Sequence, residues 1–218
     1  MGRAAPRRRT VSGLRWAAVD RLVGVLQRAR ALGFLGPGAV EAHIEHALGF
    51  AAAFSEAPPS FVDLGSGGGV PGLVLLEVWP GSRAVLLDAN ERRTTFLAEA
   101  LTQLDWADRA EVVRLRAEEA GRDGRFRAMF PAVVARGFAS PPVTAECAAP
   151  LLAVGGTLVV SEPPEEVRRW PVEGLQRVGL APAGVWAGTA RFQVLVQLKL
   201  CPATYPRRVG IPAKRPLW

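Results

Sequence analysis

The sequence predicts an α/β protein: a doubly wound, mainly parallel sheet with a C-terminal antiparallel hairpin and a helical N-terminal cap. Three observations carry this. From Phe61 onward, short apolar runs alternate with segments of helical length and period, as repeated βα units require. The first run ends in an acid and a glycine-rich turn, Asp63-Leu64-Gly65-Ser66-Gly67-Gly68-Gly69-Val70-Pro71-Gly72. The last two runs, Ala183–Trp186 and Arg191–Leu200, lie so close in sequence that an antiparallel pair is the simplest connection.

Residues 1–9 read as a basic arm. Apolar positions at Leu14, Ala17, Ala18, Val25, Leu26 and Ala29 predict a helix from about Val11 to Leu32. Gly33 to Gly38 breaks it, and a second helix near Ala39–Phe54 carries Val40, His43, Ile44, Ala47 and Leu48 on one face. After Pro58-Pro59 the alternation begins. Strands are predicted at Phe61–Leu64, Arg83–Asp88, Glu111–Leu115, Pro131–Ala135 and Gly156–Ser161. Helices are predicted at Val70–Trp79, from the Asn90 cap through Leu104, at Pro142–Ala153, and over Pro164–Val178 with an interruption at Pro171. Ala117–Ala120 is a turn or short helix. The Pro-rich, basic residues 201–218 read as an extended surface tail. The organisation is therefore a basic arm and cap over 1–58, a core over 59–200 and a tail over 201–218.

Charge narrows the function classes. Residues 1–30 carry a net charge of +7, residues 31–198 carry −5, and residues 199–218 carry +5. Twenty-five of the 27 basic residues are Arg, which composition bias explains, but bias does not explain their gathering at the two ends. Basic ends on an acidic core suit a polyanionic partner such as a nucleic acid. Arg7-Arg8-Arg9-Thr10 mimics a twin-arginine export signal, but Arg15, Asp20 and Arg21 interrupt the apolar stretch that export requires. No apolar run is long enough to span a membrane. Cys147 and Cys201 lack metal-ligand spacing and read as free thiols in a reducing cytoplasm, with no metal site expected.

The glycine turn fits a dinucleotide, a nucleoside or no ligand. Pro71 removes one of the N–H donors that a phosphate would use at a helix start, and Asp63 repels phosphate while suiting an ammonium. Asp88, at the tip of the second strand, is placed to accept from both hydroxyls of a ribose. Its bland alternative is an idle acid at a helix N-terminus. A nucleoside joined to a zwitterionic amino acid, as in S-adenosylmethionine, fits these facts. At the third strand tip, Arg116-Ala117-Glu118-Glu119 offers a backbone N–H and an acid for an adenine edge.

Val62–Gly72 resembles the first motif of the glucose-inhibited division protein B family. These are S-adenosylmethionine-dependent enzymes that methylate N7 of a guanine in small-subunit ribosomal RNA. The resemblance continues at Leu86-Leu87-Asp88, Arg92–Leu97, Arg116–Glu119, Ala135-Arg136-Gly137-Phe138-Ala139-Ser140 and the tail Tyr205–Leu217. It implies a class I methyltransferase (Rossmann-like) fold, S-adenosylmethionine as cofactor, and ribosomal RNA or the small ribosomal subunit as partner. The cofactor-binding candidates are Asp63, Gly65, Ser66, Gly67, Val70, Asp88, Ala117 and Glu118. The catalytic candidates are Arg136 and His43. The RNA-binding candidates are Arg207, Arg208 and Lys214. Arg136 would meet the cofactor's carboxylate or a substrate phosphate, and the bland reading of His43 is a hydrogen-bonded core histidine. Phe138 is a candidate to stack on the target base or simply to fill the core. Three places depart from the family pattern. His46 and Ala47 stand where Asp and Ser are usual, an upstream Asn-Leu-Thr is missing, and Ser161-Glu162 replaces Lys-Gly. All three lie on the expected substrate side, so a divergent paralogue acting on another RNA or a small molecule is the alternative. Guanine N7 carries an exposed lone pair, so methylating it needs positioning rather than a general base.

Overall fold

The computed structural model describes residues 16–165 and 169–218. The predicted arm at 1–9 and the start of the first helix lie outside these residues. Seven strands form one sheet: β1 (Ser60–Leu64), β2 (Arg83–Leu87), β3 (Ala110–Val113), β4 (Phe130–Ala135), β5 (Leu152–Glu162), β6 (Leu180–Ala187) and β7 (Arg191–Gln197), in the order β3-β2-β1-β4-β5-β7-β6. β1 to β5 run parallel, and β7 lies antiparallel between β5 and β6. The strand order reverses between β1 and β4, so the loops after these two strands diverge to opposite faces and leave a crevice between them.

Alternation along the strands divides the core into two layers. Phe61, Leu86, Ala132 and Val134 meet α1 (Trp16–Ala31), α2 (Val40–Ala52), α3 (Gly72–Val78) and α4 (Glu91–Gln103). Val62, Leu64, Val85 and Val133 meet α5 (Ala117–Ala120), α6 (Pro141–Ala148) and α7 (Val172–Gln176) on the other face. The cap is fastened to α4 and the turn after it by Arg28–Glu99 at 2.9 Å and Arg21–Asp105 at 2.7 Å, with Phe34 edge-on to Phe96 at 5.7 Å. These exposed ion pairs add little stability, but they use basic charge that composition alone leaves for a partner.

Several boundaries differ from the sequence expectation. α3 starts at Gly72 rather than Val70, because Pro71 has no N–H and the first helical N–H is given to a side chain. The helix predicted over Pro142–Ala153 ends at Ala148. A 3₁₀ turn over Ala149–Leu151 with Pro150 inside it follows, and β5 starts at Leu152, ahead of Gly156. The third strand stops at Val113. Of the helix expected over Pro164–Val178, only Val172–Gln176 is present, and residues 166–168 lie outside the described residues.

The tail is not a loose extension. It turns through the short helix α8 (Ile211–Lys214) and buries Leu217 and Pro212. Arg127 holds it by donating to the carbonyls of Tyr205 and Cys201, each at 2.9 Å. Arg207 grips Glu146 of α6 with both arms of its guanidinium, at 2.8 and 2.6 Å, and also through its backbone N–H. Glu146 is 0% exposed. Removing one member of such a pair leaves the other charge buried and alone. Arg207→Ala should therefore lower stability by about 3–5 kcal/mol in urea unfolding. A loss within the range of an exposed pair, under about 1 kcal/mol, would contradict this reading of the tail.

Candidate active site

The loops after β1, β2 and β4 border the crevice where the strand order reverses, and β1 is the organising element. Its side chains alternate faces, so Phe61 and Asp63 share the face covered by α3. The chain passes so close there that a Cβ on Gly72 would lie 2.5 Å from Asp63 Oδ2. Only glycine fits. The Gly72 N–H donates to that oxygen at 2.9 Å. Asp63 is 1% exposed and its Oδ1 has no hydrogen-bond partner. Burial pushes its carboxyl up to about 7, against the opposing pull of the Gly72 N–H and the nearby Ser66 hydroxyl. Asp88 adds to the rise, and the Arg136 guanidinium works against it.

The glycine turn is satisfied from inside. The N–H groups of Gly65 and Ser66 both donate to the Leu87 carbonyl, at 2.8 and 3.0 Å, and the Gly69 N–H donates to the Ser66 carbonyl at 2.8 Å. The Gly67 N–H donates to Asp88 Oδ2 at 2.9 Å, and the Ser66 hydroxyl donates to the Asp63 carbonyl at 2.8 Å. β2 and its terminal acid thus take the amides of Gly65, Ser66 and Gly67. A phosphate would find few donors. Asp88, 7% exposed, also accepts from the Asn90 N–H at 2.8 Å, and Arg93 stands 3.6 Å away. Each carboxylate oxygen keeps lone pairs for further donors.

Gly65 has a left-handed φ of 76°, and a Cβ there would meet the Phe138 ring at 2.7 Å. So Phe138, from the loop after β4, lies directly on the turn. From the cap, the Leu35 side chain and the Phe34 carbonyl lie against Gly68. Val70 is buried in the core between them.

Arg136 and His43, ninety-three positions apart, are joined. Arg136 Nη2 donates to His43 Nδ1 at 2.6 Å, and His43 Nε2 donates to the Gly36 carbonyl at 3.1 Å. This assignment uses both ring nitrogens, the lone pair of Nδ1 and the N–H of Nε2. Burial lowers the Arg136 pKa, and Asp63 holds it up. His46 packs against Phe50 and Phe192, and burial, followed by Arg136 and His43, lowers its pKa to about 4.

The remaining candidates are more scattered. Ala117 opens α5 and is mostly buried. Glu118 Oε1 accepts from the Gly210 N–H at 2.9 Å, so this acid is engaged by the tail. Arg207 is paired with the buried Glu146, which compensates its charge. Arg208 and Lys214 are exposed, and so is Arg215, which sequence reasoning passed over. Burial pushes the Cys147 thiol far up, which makes it a poor nucleophile. Among the described residues, no group of three or more His, Cys, Asp or Glu is placed to hold a metal, and no helix is long and apolar enough to cross a membrane.

The family model "rRNA small subunit methyltransferase G" matches residues 37–165. A ribosomal RNA small subunit methyltransferase G from Rubrobacter xylanophilus is 32% identical over 212 residues, covering 90% of this chain and 80% of that protein. One from Roseiflexus sp. is 34% identical over 190 residues, covering 83% and 80%. Among solved structures, the mitomycin 7-O-methyltransferase MmcR aligns with TM-score 0.59 at 17% identity, covering 84% of this chain and 68% of that one. Cofactor-bound Rv0187 from MTB aligns with TM-score 0.56 at 18% identity, covering 87% and 93%. At these identities the two structures speak for the fold.

The Asp63 carboxyl titrates near 7 in the folded chain against an ordinary 3.8, so between these values the folded state holds the extra proton. Its contribution is complete below about 4 and is lost as pH rises through about 7. Asp63→Asn should remove that decline. The check is a pair of urea titrations at pH 5 and pH 8, in which the variant's stability falls less than the wild type's. Equal declines would overturn the assignment.

Proposed function

We propose that this chain, which belongs to the rRNA small subunit methyltransferase G family, transfers a methyl group from S-adenosylmethionine to N7 of a guanine in small-subunit ribosomal RNA. The observation that carries the reading is the partnerless, buried Asp63 Oδ1 beside a turn that spends the amides of Gly65, Ser66, Gly67 and Gly69 internally. An ammonium fits that oxygen and a pyrophosphate does not. The residues present therefore fit an amino-acid nucleoside: Asp63 for the ammonium, Asp88 for the ribose hydroxyls, and the start of α5 at Ala117 for the purine edge. Glu118 contributes through the position of its backbone, since its carboxylate serves the tail.

When bound, S-adenosylmethionine supplies a methyl group made electrophilic by its sulfonium. The protein's part is positioning. Guanine N7 offers a lone pair that carries no proton, so no base is needed. This agrees with a His43 whose two nitrogens are both occupied. His43 is a positioning residue that aims Arg136, and Arg136 stays cationic beside the crevice to meet a carboxylate or an RNA phosphate. Phe138 and the cap segment Phe34-Leu35 shield the turn from water. The exposed Arg208, Lys214 and Arg215 supply sequence-independent attraction to the RNA backbone, weakened by salt. The small ribosomal subunit in the cytoplasm is the partner this implies.

Incubating the full chain with S-adenosylmethionine and small-subunit ribosomal RNA, then digesting to nucleosides for mass spectrometry, should yield 7-methylguanosine. Methyl transfer to a different nucleoside, or to a metabolite alone, would contradict the proposal. Asp88→Ala should weaken cofactor binding by ~1–3 kcal/mol in calorimetry, since it removes the ribose acceptor and the anchor of Gly67. An unchanged dissociation constant would leave Asp88 as a helix-end acid only.

A further inference from the structure

A cavity of about 300 Å³ opens at the ends of β4 and β5, lined by Phe138, Ser161, Glu162, Arg169 and Trp170 among others. It adjoins the turn, because Phe138 both touches Gly65 and forms one cavity wall. Glu162, the last residue of β5, is held in the cavity with its side chain only 9% exposed. Its Oε1 accepts from the Trp170 indole N–H at 3.1 Å, and its Oε2 faces Arg169 Nη1 at 3.3 Å. Both neighbours are donors, and both leave the carboxylate further lone pairs.

Resting on the function proposed above, we infer that Glu162 reads the Watson–Crick edge of the acceptor guanine and sets base specificity. The chemistry is directional. Guanine carries N7 on one edge and, on the far side of its ring system, two adjacent donors, N1–H and the N2 amino group. A carboxylate with two oxygens side by side accepts from both. Adenine presents an acceptor at N1, which a buried carboxylate repels, and neither pyrimidine has an N7. With N1–H and N2–H on Glu162, N7 is directed back toward the Phe138 wall and the turn behind it. Trp170 and Arg169 hold Glu162 in one orientation, as a pair of fixed acceptors must be held. A site built to hydrogen-bond a particular group discriminates strongly against analogues that lack it, because its buried polar atoms are then left unpaired.

The test compares small-subunit ribosomal RNA carrying guanosine at the methylated position with the same RNA carrying inosine there, introduced by ligation. Inosine keeps N7 and N1–H and lacks only the 2-amino group. Wild-type kcat/KM should fall about tenfold on inosine. Glu162→Gln should lose about 30- to 100-fold on guanosine and show little further loss on inosine, with its affinity for S-adenosylhomocysteine unchanged. Glu162→Asp keeps the carboxylate and should keep the preference for guanosine at a reduced rate, which serves if the Gln variant folds poorly. Equal inosine penalties in wild type and Glu162→Gln, or wild-type turnover by that variant, would overturn this inference alone. A wild-type enzyme that forms no 7-methylguanosine would overturn the proposed function and this inference with it.

Discussion

The site depends on one buried carboxylate. Asp63 stands one residue before the end of the central strand, on the face that α3 covers, and the chain returns so tightly that only Gly72 fits against it. Burying a carboxyl without a full set of donors is costly, and the pKa of about 7 expresses that cost. The Gly72 N–H offsets part of it on one oxygen, and the other is left unmet. An unmet acceptor next to a crevice, beside a turn that spends the amides of Gly65, Ser66, Gly67 and Gly69 internally, selects a ligand that brings donors and positive charge.

The rest of the site follows from where the strand order reverses. β2 lends the Leu87 carbonyl and Asp88 to close the turn, β4 sends Phe138 across it, and β5 ends in Glu162 one wall further on. Donor site and cavity thus share a side chain. The cap enters the same arrangement through the bond from His43 to Arg136 and through Leu35 on Gly68. The cap therefore belongs to the site, and the tail is fastened beside it through Glu118 and Glu146.

Much of this was legible in the sequence, for physical reasons. Strands buried on both faces read as continuous apolar runs, so β1, β2 and β4 were placed nearly to the residue. The charged residues at their tips, Asp63, Asp88 and Arg136, stand out because charge is rare in such runs. What escaped reading depends on partners far away in sequence. The tail reads as an extended surface strip, yet Arg207 meets Glu146 sixty-one positions away. The turn reads as a row of amides for a ligand, and only the approach of Leu87 and Asp88 turns those amides inward. Ser161-Glu162 reads as a departure from a pattern, and only the cavity gives it a use. The end of α6 is not legible, because Pro150 and Gly155 reshape a segment whose apolar content suits helix and strand alike.

Proton linkage tests the central claim most directly. S-adenosylmethionine binding to the full chain would be followed calorimetrically at pH 6 in two buffers of different ionisation enthalpy. If Asp63 is protonated while it waits for an ammonium, binding releases about one proton, and the Asp63→Asn variant releases none. Binding heats that do not depend on the buffer, or a proton release that survives in the variant, would contradict the account.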